Sequence, residues 1–185
     1  MTQQDIISIG TFKTITTAIT NSNDLPEMVE YLCNLLTDAL DLKGCAIFLL
    51  NDDQTELQLL ASTGLSAEYI LKGPVHPKKS LGSTIQGEAI VISDPGHDKR
   101  MQYPQQARNE GIETILEIPI GCLGRIIGSF RLYQSVKWEI SEQDLDSLYV
   151  LGELIGMALS YMELDNSLQA IQNITENVKF IKGQF

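Results

Sequence analysis

Hydrophobic residues recur along this chain with two different periods, and the switches between them mark out the predicted elements. Residues 5–22 read as a helix in which Ile9, Phe12, Thr16 and Ile19 follow 3-4-3 spacing. The threonines there weaken the helix, because β-branched side chains lose rotamer freedom on it. A second helix follows, LPEMVEYLCNLLTDAL, with Asn23 and Asp24 offering an N-cap and Pro26 in the first turn. Leu25, Met28, Leu32, Leu35 and Leu36 lie on one face of it. Gly44–Leu50 is nearly all apolar, which suits a central strand covered on both faces. Asn51, Asp52 and Asp53 make a turn cluster, and residues 56–62 return as the second strand of a hairpin.

Residues 63–108 are irregular and rich in Gly and Pro, and only 89–92 (AIVI) reads clearly as strand. A loop-rich stretch of that length inside a compact domain is usually functional. Residues 109–133, NEGIETILEIPIGCLGRIIGSFRLY, read as a helix end stopped at Gly111, a strand, a tight Gly-Cys-Leu-Gly turn and a second strand. A long helix closes the chain over 141–182, with Ser141 as N-cap and Asp144 at the third helical position. The order gives an α+β fold with an antiparallel sheet, not alternating βα units.

That last helix carries two apolar stripes. Leu148, Leu151, Ile155, Leu159 and Met162 form one. The other, Val150, Leu154, Met157, Tyr161, Leu164, Leu168, Ile171, Thr175 and Val178, keeps strict 4-3-4-3 spacing, a heptad seam that outruns the first stripe. A helix with two apolar stripes must bury both. The first is expected on the domain's own sheet and the second against a partner, with residues beyond 164 projecting from the domain. A lone projecting helix is marginal in water, so a parallel homodimer is expected, with the first helix able to join a four-helix bundle. The alternative is that the seam folds back on the chain's own N-terminal helix.

Charge and composition narrow the function. The net charge of -11 argues against nucleic acid, which needs a basic patch. Lys78-Lys79 and Lys99-Arg100, the longest basic runs, read as solvated loop charges. No apolar run reaches the roughly 18 residues needed to span a bilayer, and the N-terminus lacks the pattern of a signal peptide. Cys33, Cys45 and Cys122 are widely spaced and odd in number, against a disulfide framework. A soluble, cytoplasmic setting is expected.

Several segments resemble the GAF domain family, in the family's order. DLPEMVEYLCNLLTDALDLKGCAIFLLNDD is similar to its opening helix and first strand, and ASTGL to the end of its second strand. LGSTIQGEAIVISD is similar to its short helix and third strand, and NEGIETILEIPI with GRIIGSFRLY to its closing hairpin. The resemblance covers roughly residues 24–164, leaving an N-terminal helix (1–23) and a C-terminal helical extension (165–185). It implies a sheet of about six antiparallel strands with helices on one face. On the other face it implies a ligand pocket roofed by the irregular middle.

The residues themselves agree in part. Leu116, Ile118 and Ile120 share one face of their strand, opposite Ile115, Glu117 and Pro119. In the next strand Ile126, Phe130 and Leu132 oppose Ile127, Ser129, Arg131 and Tyr133. The mixed side is the expected pocket side, with Glu117 and Arg131 as convergent polar groups and Ile92, Ile115 and Tyr133 as apolar walls. The bland alternative is that Glu117 and Arg131 pair across the hairpin or meet solvent. Asp94 and Tyr103 enter the ligand set only through their position in the family.

Chemistry is sparse. Family relatives include free methionine sulfoxide reductases with pocket cysteines. Here Cys33 sits on a helix face, Cys45 in a buried strand and Cys122 in a turn, and inert thiols are expected. His97 could ligate a haem iron, but lone loop histidines such as His97 and His76 are usually solvated. No zinc-type ligand pair, phosphate loop or nucleophile-elbow motif is present. The family's cyclic-nucleotide motif is not matched either. No catalytic residue or metal site is therefore expected, and the sequence does not name a cofactor. The reading is a small-molecule-binding regulatory module, homodimeric through Val150, Leu154, Met157, Tyr161, Leu164, Leu168 and Ile171, with output through a partner protein. A sulfoxide-reductase-like enzyme and a purely structural dimerisation module stand as alternatives.

Overall fold

A computed structural model describes residues 7–22, 24–77 and 84–182 of the chain. Helix α1 (Ile9–Asn21) begins at a capping box in which Ser8 Oγ accepts from Thr11 N at 3.2 Å. Its threonines do not leave their hydroxyls idle: Thr14, Thr16, Thr17 and Thr20 each donate to the carbonyl four residues back. The expected stripe needs correcting. Ile15 and Ala18 are buried, Phe12 and Ile19 are half-buried, Thr16 is exposed and Ile9 is 88% exposed. The stripe that packs inward is Phe12, Ile15 and Ile19 with Ala18, and ahead of the helix Ile7 N donates to the buried Asp144 carboxylate at 2.9 Å. Residues 5 and 6 of the expected helix lie outside the described residues.

Helix α2 (Leu25–Ala39) starts where Asp24 Oδ1 accepts from Glu27 N at 2.8 Å, with Pro26 in the first turn. It buries Met28, Val29, Leu32, Cys33 and Leu36 against the sheet. Strands β1 (Gly44–Leu50) and β2 (Leu57–Thr63) form the first hairpin. Its turn is tied by Asn51 Oδ1, which accepts from Thr55 N and Glu56 N. The irregular middle holds a short helix α3 (Ala67–Ile70), a 3-10 turn (Thr84–Gln86), strand β3 (Ile90–Ser93) and helix α4 (Pro104–Asn109). Gly111, at φ +71, ends α4 as expected. The closing hairpin is β4 (Thr114–Cys122) and β5 (Arg125–Gln134), joined through Leu123 and Gly124 at φ +51 and +75.

The sheet has the order β2-β1-β5-β4-β3, every neighbouring pair antiparallel. Five strands are described where the resemblance implied about six. Beyond β2, Val75 contributes only a single bridge to Leu57. One face packs against α1, α2 and the last helix through Ile47, Leu116, Ile118, Ile120, Phe130 and Leu132. The opposite face gathers Ala46, Phe48, Ile92, Ile115 and Tyr133 under Tyr69, Val75 and Met101.

A β-bulge overturns one detail of the expected alternation. Ile120 pairs with Gly128 but Gly121 pairs with Ile126, so Ile127 is an extra residue on β5. The extra residue shifts the phase of the strand by one. Ile127 therefore packs with Phe130 and Leu132 on the helix face, and Ile126 turns to the other side beside Ser129 and Arg131.

Helix α5 (Glu142–Lys182) is capped by Ser141, whose Oγ accepts from Asp144 N at 3.0 Å. Leu148, Leu151, Ile155 and Leu159 are buried on the sheet and Met162 half-buried, the first of the two expected stripes. The helix backbone comes unusually close to β4. A Cβ on Gly152 would sit 2.3 Å from Pro119 O, and one on Gly156 would sit 2.1 Å from Gly121 O. Along the second stripe Val150, Met157, Tyr161, Leu164, Leu168 and Ile171 are all at least half exposed, and Leu154 is half-buried. The described residues thus do not fold back over the seam. Thr175 and Val178 lie outside the residues whose side chains are described.

Candidate ligand-binding site

The register of the closing hairpin places Glu117 directly opposite Arg131, and β1 brings Ala46 alongside Arg131 from the other flank. Both charged side chains point away from the helices and both are buried, at 0% and 2% exposure. Arg131 Nη2 donates to Glu117 Oε1 at 3.2 Å, and Ser129 Oγ donates to the same oxygen at 2.6 Å. The Arg131 guanidinium also lies over the Phe48 ring, 4.9 Å from its centroid. Burial by itself would lower the arginine's pKa, yet the Glu117 carboxylate beside it raises it further above its ordinary value.

Next to this ion pair is a small cavity lined by Leu50, Leu57, Pro77, Thr84, Ile126 and Gly128 together with Glu117, Ser129 and Arg131. Its central room is about 10 Å³, roughly that of one water molecule. Among the described residues, Glu117 Oε2, Thr84 Oγ1 and the Tyr133 hydroxyl are buried without a hydrogen-bond partner. Buried polar groups are ordinarily satisfied. Two such atoms on side chains lining one cavity, Glu117 Oε2 and Thr84 Oγ1, are therefore its most informative feature.

Of the residues expected from sequence, Glu117 and Arg131 line the cavity, while Ile92, Ile115 and Tyr133 are buried on the same sheet face. Glu117 and Arg131 also pair across the hairpin, the alternative expected for them. Burial drives the Tyr133 hydroxyl's pKa well above the ordinary tyrosine range, with Tyr69 packed edge-on at 5.8 Å. Asp94 and Tyr103 are not brought to the cavity. Asp94 is exposed, at φ +57, and its carboxylate meets His97 Nδ1 at 2.8 Å. Tyr103 is a clasp: its hydroxyl donates to Pro74 O at 2.8 Å, where Gln102 Nε2 also donates at 2.9 Å.

Sequence reasoning missed Thr84 and Phe48. Thr84 sits on a 3-10 turn with no periodic signal, and Phe48 lies in a strand whose residues are apolar on both faces. Lys72 was also missed. Its Nζ is 3.8 Å from the Tyr69 ring centroid and donates to Tyr69 O at 2.9 Å. Burial and then the charge of Arg131 lower its pKa to about 8, against the weaker pull of Glu110. The cysteines stay away from the cavity. Cys33 and Cys45 are buried on the helix face, and the Cys45 thiol is driven well above the usual thiol range by its interaction with Cys33, which favours the protonated form, and by burial. Cys122 is half-exposed at the end of β4. Among the described residues there is no cluster of three or more potential metal ligands and no helix long and apolar enough to cross a membrane. Of the basic pairs, Lys78-Lys79 falls outside the described residues, and Arg100 is exposed and paired with Asp98.

The sequence profile of the GAF domain family matches residues 24–159. Among solved structures the chain is similar to the GAF domain of a phosphoenolpyruvate-protein phosphotransferase from Coxiella burnetii. The identity is 18% and the TM-score 0.76, over 88% of this chain and 97% of that one. The corresponding domain from Acinetobacter gives 17% identity and a TM-score of 0.72, over 86% and 96%. A fragment of a methyl-accepting chemotaxis protein, residues 122 to 287, gives 20% and 0.65, over 84% and 99%. At such identities the likeness shows the fold. No protein of curated function matches the chain.

Proposed function

Because the chain belongs to the GAF domain family, whose members commonly serve as sensory or regulatory domains of signalling proteins, we propose that it is a non-catalytic sensor. It takes a small molecule at the Glu117–Arg131 cavity and reports its presence through α5. One observation carries this reading: a buried ion pair with a carboxylate oxygen left unsatisfied beside a cavity. Such a group costs stability unless something uses it. Glu117, Arg131, Ser129 and Thr84 supply the polar contacts, with Leu50, Leu57, Pro77 and Ile126 as apolar walls and Ile92, Ile115 and Tyr133 buried on the same sheet face.

Output passes through a parallel homodimer along Val150, Leu154, Met157, Tyr161, Leu164, Leu168 and Ile171, and from there to a partner protein in the cytoplasm. The seam's spacing and its exposure on a helix that outruns the fold support this. Two contacts favour coupling between cavity and helix. Ala89 N donates to Tyr149 Oη at 2.6 Å, tying the segment after Thr84 to α5. Pro119 and Gly121, on the strand that carries Glu117, bear directly on Gly152 and Gly156. The division of labour is an N-terminal helix (1–23), a sensing domain (24–164) and a helical extension (165–185).

A second reading, a structural dimerisation module whose cavity holds only water, is favoured by the small room at the cavity's centre. Native mass spectrometry of the chain purified from its own host separates them. A dimer carrying a non-covalent adduct is the expected result. A dimer that stays bare across a ligand screen favours the structural module, and a monomer overturns the seam.

A further inference from the structure

We infer that the cavity selects a neutral group that donates hydrogen bonds from nitrogen, an –NH2 as in a primary amide, and rejects carboxylates and phosphates. This rests on the binding role proposed above and specifies its chemistry. Glu117 and Arg131 are the charged side chains lining the cavity among the described residues, and they neutralise each other at 3.2 Å. What the described part of the lining still offers is therefore not a net charge. It is the second carboxylate oxygen of Glu117, an acceptor without a donor, and the hydroxyl of Thr84, which can accept or donate.

An incoming anion would meet Glu117 Oε2 at close range, with the compensating cation already engaged by Oε1. An incoming ammonium or guanidinium would satisfy Oε2 but lie close to the Arg131 guanidinium. A neutral N–H donor satisfies the oxygen and meets neither repulsion. Size agrees, because room for about one water matches a single –NH2. The remainder of such a ligand enters only if the apolar lining of Leu50, Leu57, Pro77 and Ile126 gives way on binding.

Matched pairs of probes test this with the full chain. Acetamide and benzamide are titrated against acetate and benzoate at pH 7, following amide and methyl NMR signals of Thr84, Ile126 and Ser129. The amides are expected to give saturable shifts at least about tenfold tighter in apparent Kd than the matched carboxylates. Glu117→Gln should reverse the preference, because it removes the negative charge at this position, puts an –NH2 donor beside the remaining acceptor and uncovers the charge of Arg131. Wild-type protein that prefers benzoate, or binds both members of a pair equally at these residues, overturns the inference and leaves the binding role standing. No saturable shift from any probe overturns the binding role and the inference together. The wild-type comparison decides even if the variant does not fold.

Discussion

On the helix face of the sheet, Ile47, Leu116, Ile118, Phe130 and Leu132 are buried and apolar. On the other face, neighbouring positions of the same strands carry Glu117, Ser129 and Arg131, equally buried. The first face is packed so closely that glycines meet backbone carbonyls at Gly152 and Gly156. The second leaves a void and two unsatisfied oxygens on its lining. Both faces lie within one sheet, so neither strand propensity nor exclusion from water explains the difference. A packed aliphatic face serves stability, whereas a buried charged pair is weak evidence for stability and is better explained by use.

The comparison breaks most sharply at Arg131. Arg131→Met strands the Glu117 carboxylate in the interior and should cost about 3–5 kcal/mol in urea unfolding, as for other broken buried pairs. Replacing both partners, Arg131→Met with Glu117→Leu, should recover most of that loss, since two apolar side chains need no compensation. If the single variant proves no worse than a surface change, the pair is not buried as described. If the double variant is as poor as the single, the charges are there for stability, and the contrast between the two faces disappears.

On the helix face the sensitive point is close approach. Gly→Ala inside a solvent-exposed helix stabilises by about 1 kcal/mol. At Gly156 the added methyl would sit 2.1 Å from Gly121 O, and a backbone carbonyl cannot step aside as a side-chain tip can. Gly156→Ala should therefore destabilise by about 1–3 kcal/mol, the range for an overpacked core, with a matching fall in urea midpoint. A neutral or stabilised variant would mean that α5 rides higher on β4 than the 2.1 Å figure implies.

These two faces also differ in how far the sequence reveals them. The helix face shows in periodicity: Leu148, Leu151, Ile155 and Leu159 repeat as a helix stripe, and Leu116, Ile118 and Ile120 as a strand face, and they pack together as read. Glu117 and Arg131 were legible for the same reason, as polar residues breaking an otherwise buried alternation. Periodicity failed where register changes. The extra residue Ile127 exchanged the faces of Ile126 and Ile127, and a bulge leaves no mark in a run of two isoleucines. It misled on α1, where two apolar stripes overlap and the one through Ile15, not the one through Ile9 and Thr16, faces the core. The roof was the least legible part. Asp94 and Tyr103 entered by family position, and this chain uses them in a surface pair with His97 and a clasp on Pro74.

Lys72 provides the smallest and most selective probe of the cavity side, because its amine is held against Tyr69 beyond the charged pair. Its pKa falls from an ordinary 10.5 to about 8 in the folded protein. Below pH 8 the amine is protonated in both states, and the fold bears the whole cost of keeping the charge out of water. Between about 8 and 10.5 the unfolded chain binds more protons than the folded one, so this lysine makes stability rise with pH across that window. Tyr69 acts in the opposite sense. Burial holds its hydroxyl up to about 12, so above pH 10 ionisation favours the unfolded chain. Urea midpoints at pH 7.5, 8.5 and 9.5 should therefore climb more steeply in the wild-type chain than in Lys72→Met, which lacks the titrating amine. Parallel pH profiles for the two proteins would place the Lys72 amine in solvent and shrink the low-dielectric region to the immediate surroundings of Glu117 and Arg131.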